Sequence, residues 1–157
     1  MAGFYGLLAW RYPVSGTLMV ATCHASILAL IVVTDLEARL VPNVVVVPAM
    51  ALAAVLAAVV WPRLAPQMLL GGAVGFLFFL VLVLIYPRGM GWGDVKLAGY
   101  VGLIAGYPRV LVCLLIAILA GGVAAAGLLL SGRGGWRSYM PYAPFLALGG
   151  ALALLFL

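Results

Sequence analysis

From residue 17 to the end of this chain, apolar runs follow one another, parted only by short segments that hold prolines, glycines and nearly all the charge. That pattern leaves few folds open. In lipid every backbone N–H and C=O must be satisfied within its own segment or by protein, which favours helices. A helix that crosses the hydrocarbon needs about 20 apolar residues. The runs predict spans near 17–34, 44–61, 67–86, 95–107, 110–130 and 142–157. The fold class expected is an all-α membrane protein, a bundle of about six transmembrane helices forming a single domain over residues 1–157.

Composition excludes the soluble alternative. Charged residues make up 7% of the chain and hydrophobic ones 68%, where a soluble domain carries about 25% charge. The net charge of +5 fits the bias of basic residues between spans better than a nucleic-acid surface, since no aromatic-basic interleaving accompanies it. Cys23 and Cys113 both sit in apolar runs, without a C-x-x-C pair, and read as small core residues. Residues 1–16 lack the basic start of a signal peptide and read as an interfacial segment, with Trp10 and Tyr12 at headgroup depth.

Parity of the crossings places the acids. Asp35 follows the first span and Asp94 precedes the fourth, so two crossings separate them and both emerge on one side. With six crossings that side also holds Arg39, Arg88, Lys96, Arg133 and Arg137, against Arg11, Arg63 and Arg109 on the other. The bias then turns the aspartates toward the cytoplasm. The fourth segment is short, rising only about 20 Å against a core of about 30 Å. If it re-entered instead of crossing, the charge bias would vanish. Gly99, Gly102 and Gly106 along it would let neighbouring helices approach closely.

Ionisable groups beside spans are costly and point to function. Two carboxylates in a low-dielectric pocket cannot both ionise comfortably, so they share a proton and titrate as a unit. The ionised member can act as general base on water while the protonated member polarises a carbonyl. The plainer alternative for Asp35 and Asp94 is a pair of wetted caps at two helix ends. Glu37 reads as a solvated loop acid or a substrate-facing charge. Lys96, two residues from Asp94, does not face it on a helix and is expected to snorkel to the interface. His24 lies about 16 Å along the helix from Asp35 and reads as a hydrogen-bonded packing residue. A single histidine rules out H-E-x-x-H zinc chemistry, and S-G-R-G-G at 131–135 lacks the lysine and hydroxyl of a P-loop. No metal site or cofactor is expected.

Three stretches together resemble the type IV prepilin peptidases, a family of G-x-G-D aspartic proteases of the membrane. They are Asp35-Leu36-Glu37-Ala38-Arg39-Leu40-Val41-Pro42-Asn43 with Pro48 following, Gly89-Met90-Gly91-Trp92-Gly93-Asp94-Val95-Lys96-Leu97, and Met140-Pro141-Tyr142-Ala143-Pro144-Phe145-Leu146-Ala147-Leu148-Gly149 at the start of the last run. The resemblance implies that Asp35 and Asp94 are the catalytic pair. It further implies that Gly91, Gly93, Lys96, Glu37, Pro42, Asn43, Pro141 and Pro144 bind substrate or shape the site. The implied reaction is hydrolysis after a glycine at the cytoplasmic membrane face, removing the basic leader of prepilin-like precursors. Those precursors and membrane lipids are the expected partners, with no nucleic acid. The expected location is the inner (cytoplasmic) membrane. Larger relatives carry an N-terminal extension with paired cysteines and a second, N-methylating activity; only 34 residues precede Asp35 here, so a short form with peptidase activity alone is expected. The basic loop at 133–137 reads as an orientation and anionic-lipid element. The rival reading is a proton-coupled transporter or channel component using the two aspartates as a relay; a third is an inactive assembly partner of the same fold.

Overall fold

A computed structural model describes residues 2–12, 16–38, 41–85, 90–131 and 142–156. Seven helices follow in order: α1 (Ala2–Arg11), α2 (Gly16–Ala38), α3 (Asn43–Val60), α4 (Ala65–Ile85), α5 (Trp92–Ala105), α6 (Arg109–Leu130) and α7 (Ala143–Phe156). Helices α2 to α7 occupy the six predicted runs. Four of them, α2, α3, α4 and α6, are long and apolar enough to cross a membrane, while α5 and α7 have 14 residues each. The chain is an all-α, multi-pass membrane protein.

The short helix α5 is the centre of the bundle. Every residue from Leu97 to Ala105 on it is buried, enclosed by α3, α4, α6 and α7. Its length therefore does not matter as it would for a lipid-facing span, because its ends are met by protein instead of hydrocarbon. The contact with α4 is backbone against backbone. A Cβ placed on Gly71 would strike the Gly102 carbonyl, one on Gly102 would strike Gly71, and one on Gly75 would strike the Ala98 carbonyl. Small residues four apart on both helices create this approach, where dispersion between close backbones replaces the missing hydrophobic drive. Of the glycines predicted to permit close approach, Gly102 does so directly. Gly99 meets the side chains of Met50 and Phe76.

These contacts also fix direction. Gly75 of α4 lies by Ala98 and Gly71 by Gly102, while the Tyr107 N–H donates to the Gln67 carbonyl at 2.8 Å. Helices α4 and α5 are therefore antiparallel. Gly149 of α7 abuts Cys113 and Tyr142 abuts Gly121, so α6 and α7 are antiparallel as well. Gly106 ends α5 at φ +68, a left-handed conformation that favours glycine.

Several expectations change in three dimensions. Residues 2–11 form a packed helix, with Leu8 buried and the Tyr5 hydroxyl 2.9 Å from Ser26 Oγ on α2. Tyr12 donates to the Leu154 carbonyl at 2.9 Å, joining α1 to the end of α7. Cys113 is buried as predicted, but Cys23 is on the exposed face of α2 and is no core residue. Glu37 is not in a loop: α2 continues through it to Ala38, and its side chain is exposed.

Candidate active site

Helix α2 carries Asp35 one turn before its end, on the same face as the buried Leu28 and Ile31. That spacing keeps the carboxyl turned into the bundle, where it is 2% exposed. Helix α5 carries Asp94 in its first turn, 4% exposed. The two carboxyls come from helices far apart in sequence and are close enough for the charge of Asp35 to act on Asp94. The structure thus puts both acids at one end of the bundle.

Each carboxyl is held by a backbone N–H. The Gly91 N–H donates to Asp94 Oδ2 at 3.1 Å, while the Asp94 N–H donates back to the Gly91 carbonyl at 3.1 Å. This is the reciprocal arrangement of a capping box, with the acid in the first turn satisfying a free donor. The Ala143 N–H at the start of α7 donates to the Asp35 carboxyl. Oδ2 of Asp35 is buried with no partner among the described residues. A buried carboxylate oxygen left unpaired is unfavourable, and it is the atom of this pair free to meet a water or a substrate group.

The three sequence stretches converge here. Lys96 Nζ donates to Asn43 Oδ1 at 2.7 Å at an exposed position, so the ammonium also ties the second stretch to the first. A Cβ on Gly93 would collide with the Val41 side chain; glycine is what lets Val41, just before α3, lie against the start of α5. Gly91 sits at φ −84, a conformation open to any residue. Pro42 caps α3, its carbonyl accepting from the Val45 and Val46 N–H groups. Pro144, second in α7, fits the proline preference of a helix's first turn. Glu37 makes no hydrogen bond that joins it to the pair. Pro141 lies outside the described residues, as do Arg39, Arg88, Arg133 and Arg137.

Two contributors were not singled out by sequence reasoning. One is the Ala143 N–H; the signal for it was the proline at 144, since a helix start leaves free donors just there. The other is Tyr142, which lies within electrostatic reach of Asp94 and whose hydroxyl donates to the Ala117 carbonyl at 3.4 Å. His24 is 4% exposed and pairs through Nδ1 with the Tyr100 hydroxyl at 2.8 Å, the packing role its depth implied. Among the described residues no three His, Cys, Asp or Glu side chains gather as a metal site would.

Two buried carboxyls within electrostatic reach of one another can supply a base and an acid together. Residues 23–126 match the model of the type IV leader peptidase family. The chain is 33% identical over 150 residues to a prepilin leader peptidase/N-methyltransferase of Bacillus subtilis, covering 93% of this chain and 59% of that one. It is 30% identical over 156 residues to the protein of the same name from Pseudomonas putida, covering 95% and 54%. The chain therefore spans somewhat more than half the length of these relatives. No solved structure matches it. With the matched region running from within α2 to within α6, and so taking in both aspartates, the chain belongs to the type IV leader peptidase family.

Proposed function

We propose that this protein is an intramembrane aspartic endopeptidase that removes the basic leader of prepilin-like precursors. The observation that carries the reading is the convergence of Asp35 and Asp94, each buried and each held by one backbone N–H. The ionised carboxylate takes a proton from water as the water oxygen attacks the scissile carbonyl carbon. The protonated carboxyl gives its proton to the carbonyl oxygen, yielding a gem-diol. Collapse breaks the C–N bond: one gem-diol hydroxyl returns its proton to the second carboxylate as the C=O re-forms, and the departing nitrogen takes the proton held by the first. The pair is back with one shared proton.

Cleavage after a glycine at the cytoplasmic face of the inner membrane follows the same reading. Counted along the chain, the aspartate end holds five basic residues and the other end three, which favours that orientation by the positive-inside bias. A relay for proton transport would distribute ionisable groups along the bundle, whereas all three acids of this chain fall at one end. The test is cleavage of a purified precursor by the protein in detergent or nanodiscs, with the cut located by mass spectrometry. Loss of the cut in Asp35→Asn and in Asp94→Asn, with both variants folded, supports the reading. Full cleavage by either variant refutes it.

A further inference from the structure

The end of the bundle opposite the aspartates contains a cavity of about 360 Å³, within the 300–1,000 Å³ of ligand pockets. It lies where α2, α4 and α6 begin and where α3, α5 and α7 end. Its walls are mostly apolar, and a few polar groups stand at different depths. Arg109 and Tyr107 are at the exposed rim, Gln67 is on the first turn of α4, and His24 is inside. His24 Nδ1 is taken by Tyr100, which leaves Nε2 as the ring's remaining polar atom.

Charge selects the ligand. All three acidic side chains, Asp35, Glu37 and Asp94, are at the far end, so among the described residues Arg11, Arg63 and Arg109 here have no Asp or Glu to pair with. Arg109 lines the cavity, and its charge reaches the Tyr12 hydroxyl, which also lines it. Tyr12 is flanked on its other side by Arg11, whose guanidinium carbon is 5.6 Å from the ring centre. A guanidinium at the rim suits a phosphate, and the apolar walls below suit a hydrocarbon chain. The bilayer presents both on one molecule. We propose that this cavity binds an anionic phospholipid, with its phosphodiester at Arg109 and the start of an acyl chain against the apolar wall.

The location gives such binding a consequence. The backbones of α2 and α5, which carry the two aspartates, do not approach one another closely among the described residues. The His24–Tyr100 bond joins them across the gap, and His24 lines the cavity. A lipid seated there braces the same two helices from the opposite end.

The experiment is native mass spectrometry of the purified protein titrated with phosphatidylglycerol, with phosphatidylcholine and with inorganic phosphate. Thermal melting is measured in parallel. Expected is one saturable phosphatidylglycerol adduct, weakened at least about tenfold by Arg109→Glu and kept by Arg63→Glu, which makes the same charge change at the same end outside the cavity. Arg109 is exposed, so the lipid-free variant should melt as the wild type does; Gln67→Leu is the second probe should it not, and is also expected to weaken the adduct. Equal loss in the two arginine variants would mean diffuse surface attraction and overturn the proposal. Undiminished binding by both Arg109→Glu and Gln67→Leu, or equal binding of phosphatidylcholine, would do the same. Saturation by inorganic phosphate alone would assign the cavity to the free anion and overturn the lipid assignment.

Discussion

The two ends of this bundle are made by the same six apolar helices, yet all three acids fall at one of them and the two are closed differently. At one end Asp35 and Asp94 are buried, each capped by a backbone N–H, and Val41 presses against the start of α5. At the other end Arg109 and Tyr107 stand exposed around an open cavity. Burial makes the first end suited to proton chemistry, because carboxyls removed from water compete for a proton. Exposure makes the second suited to recognition, because a solvated guanidinium does not readily give up its proton but readily meets an anion. Between them the α4–α5 contact is so close that no side chain fits, and it serves both ends alike.

The largest effect expected is at the acidic end. Asp35→Asn or Asp94→Asn should each lower leader cleavage by at least about 100-fold, the low end of what acid–base groups contribute. The melting temperature should be kept. A precursor gel shift with a parallel melt checks both, and wild-type cleavage in either variant would remove the functional distinction between the ends.

A pair sharing one proton also requires a bell-shaped dependence of kcat/KM on pH. At low pH both carboxyls are protonated and the base is gone; at high pH both are ionised and the acid is gone. A rate that rises to a plateau without falling would leave only one carboxyl engaged. The profile is measured with the wild type in a fixed lipid, so that the basic end is held constant.

The seam between the ends comes next. Gly102→Leu should destabilise the fold by about 1–3 kcal/mol or more through overpacking, because its new side chain would strike the Gly71 backbone. Both cleavage and lipid binding should fall together. A fall at one end alone would mean that the two ends are not held by this contact.

Lys96→Ala should give a smaller loss, about fivefold in cleavage, equivalent to about 1 kcal/mol for a half-exposed hydrogen bond to Asn43. Complete loss would mean that Lys96 acts on the reacting groups directly. Smallest of all, Arg63→Ala should alter cleavage by no more than about twofold, as surface changes far from a site do.

The approximate limits of six helices were legible from apolar run length, because lipid demands that each run satisfy its own backbone. That both aspartates share one end was legible from parity alone. Less legible was anything that depends on which face of one helix meets another. Cys23 and Cys113 lie in equally apolar surroundings, yet one faces out and the other in. Lys96 looks from its own helix like a snorkelling residue, and nothing there shows that Asn43, 53 positions away, receives it. The Ala143 donor is a backbone group, and side-chain identity does not announce where it points.

What the sequence by itself determined is the membrane class, the six apolar helices and the placing of acids at one end, since hydropathy and charge act locally along the chain. Only the tertiary structure decided that the shortest helix is the central one, that α1 packs instead of standing apart, and that a cavity opens at the basic end. Those depend on contacts between segments distant in the chain, where the fit of glycine against carbonyl or proline-marked helix start against carboxyl is settled by packing in three dimensions.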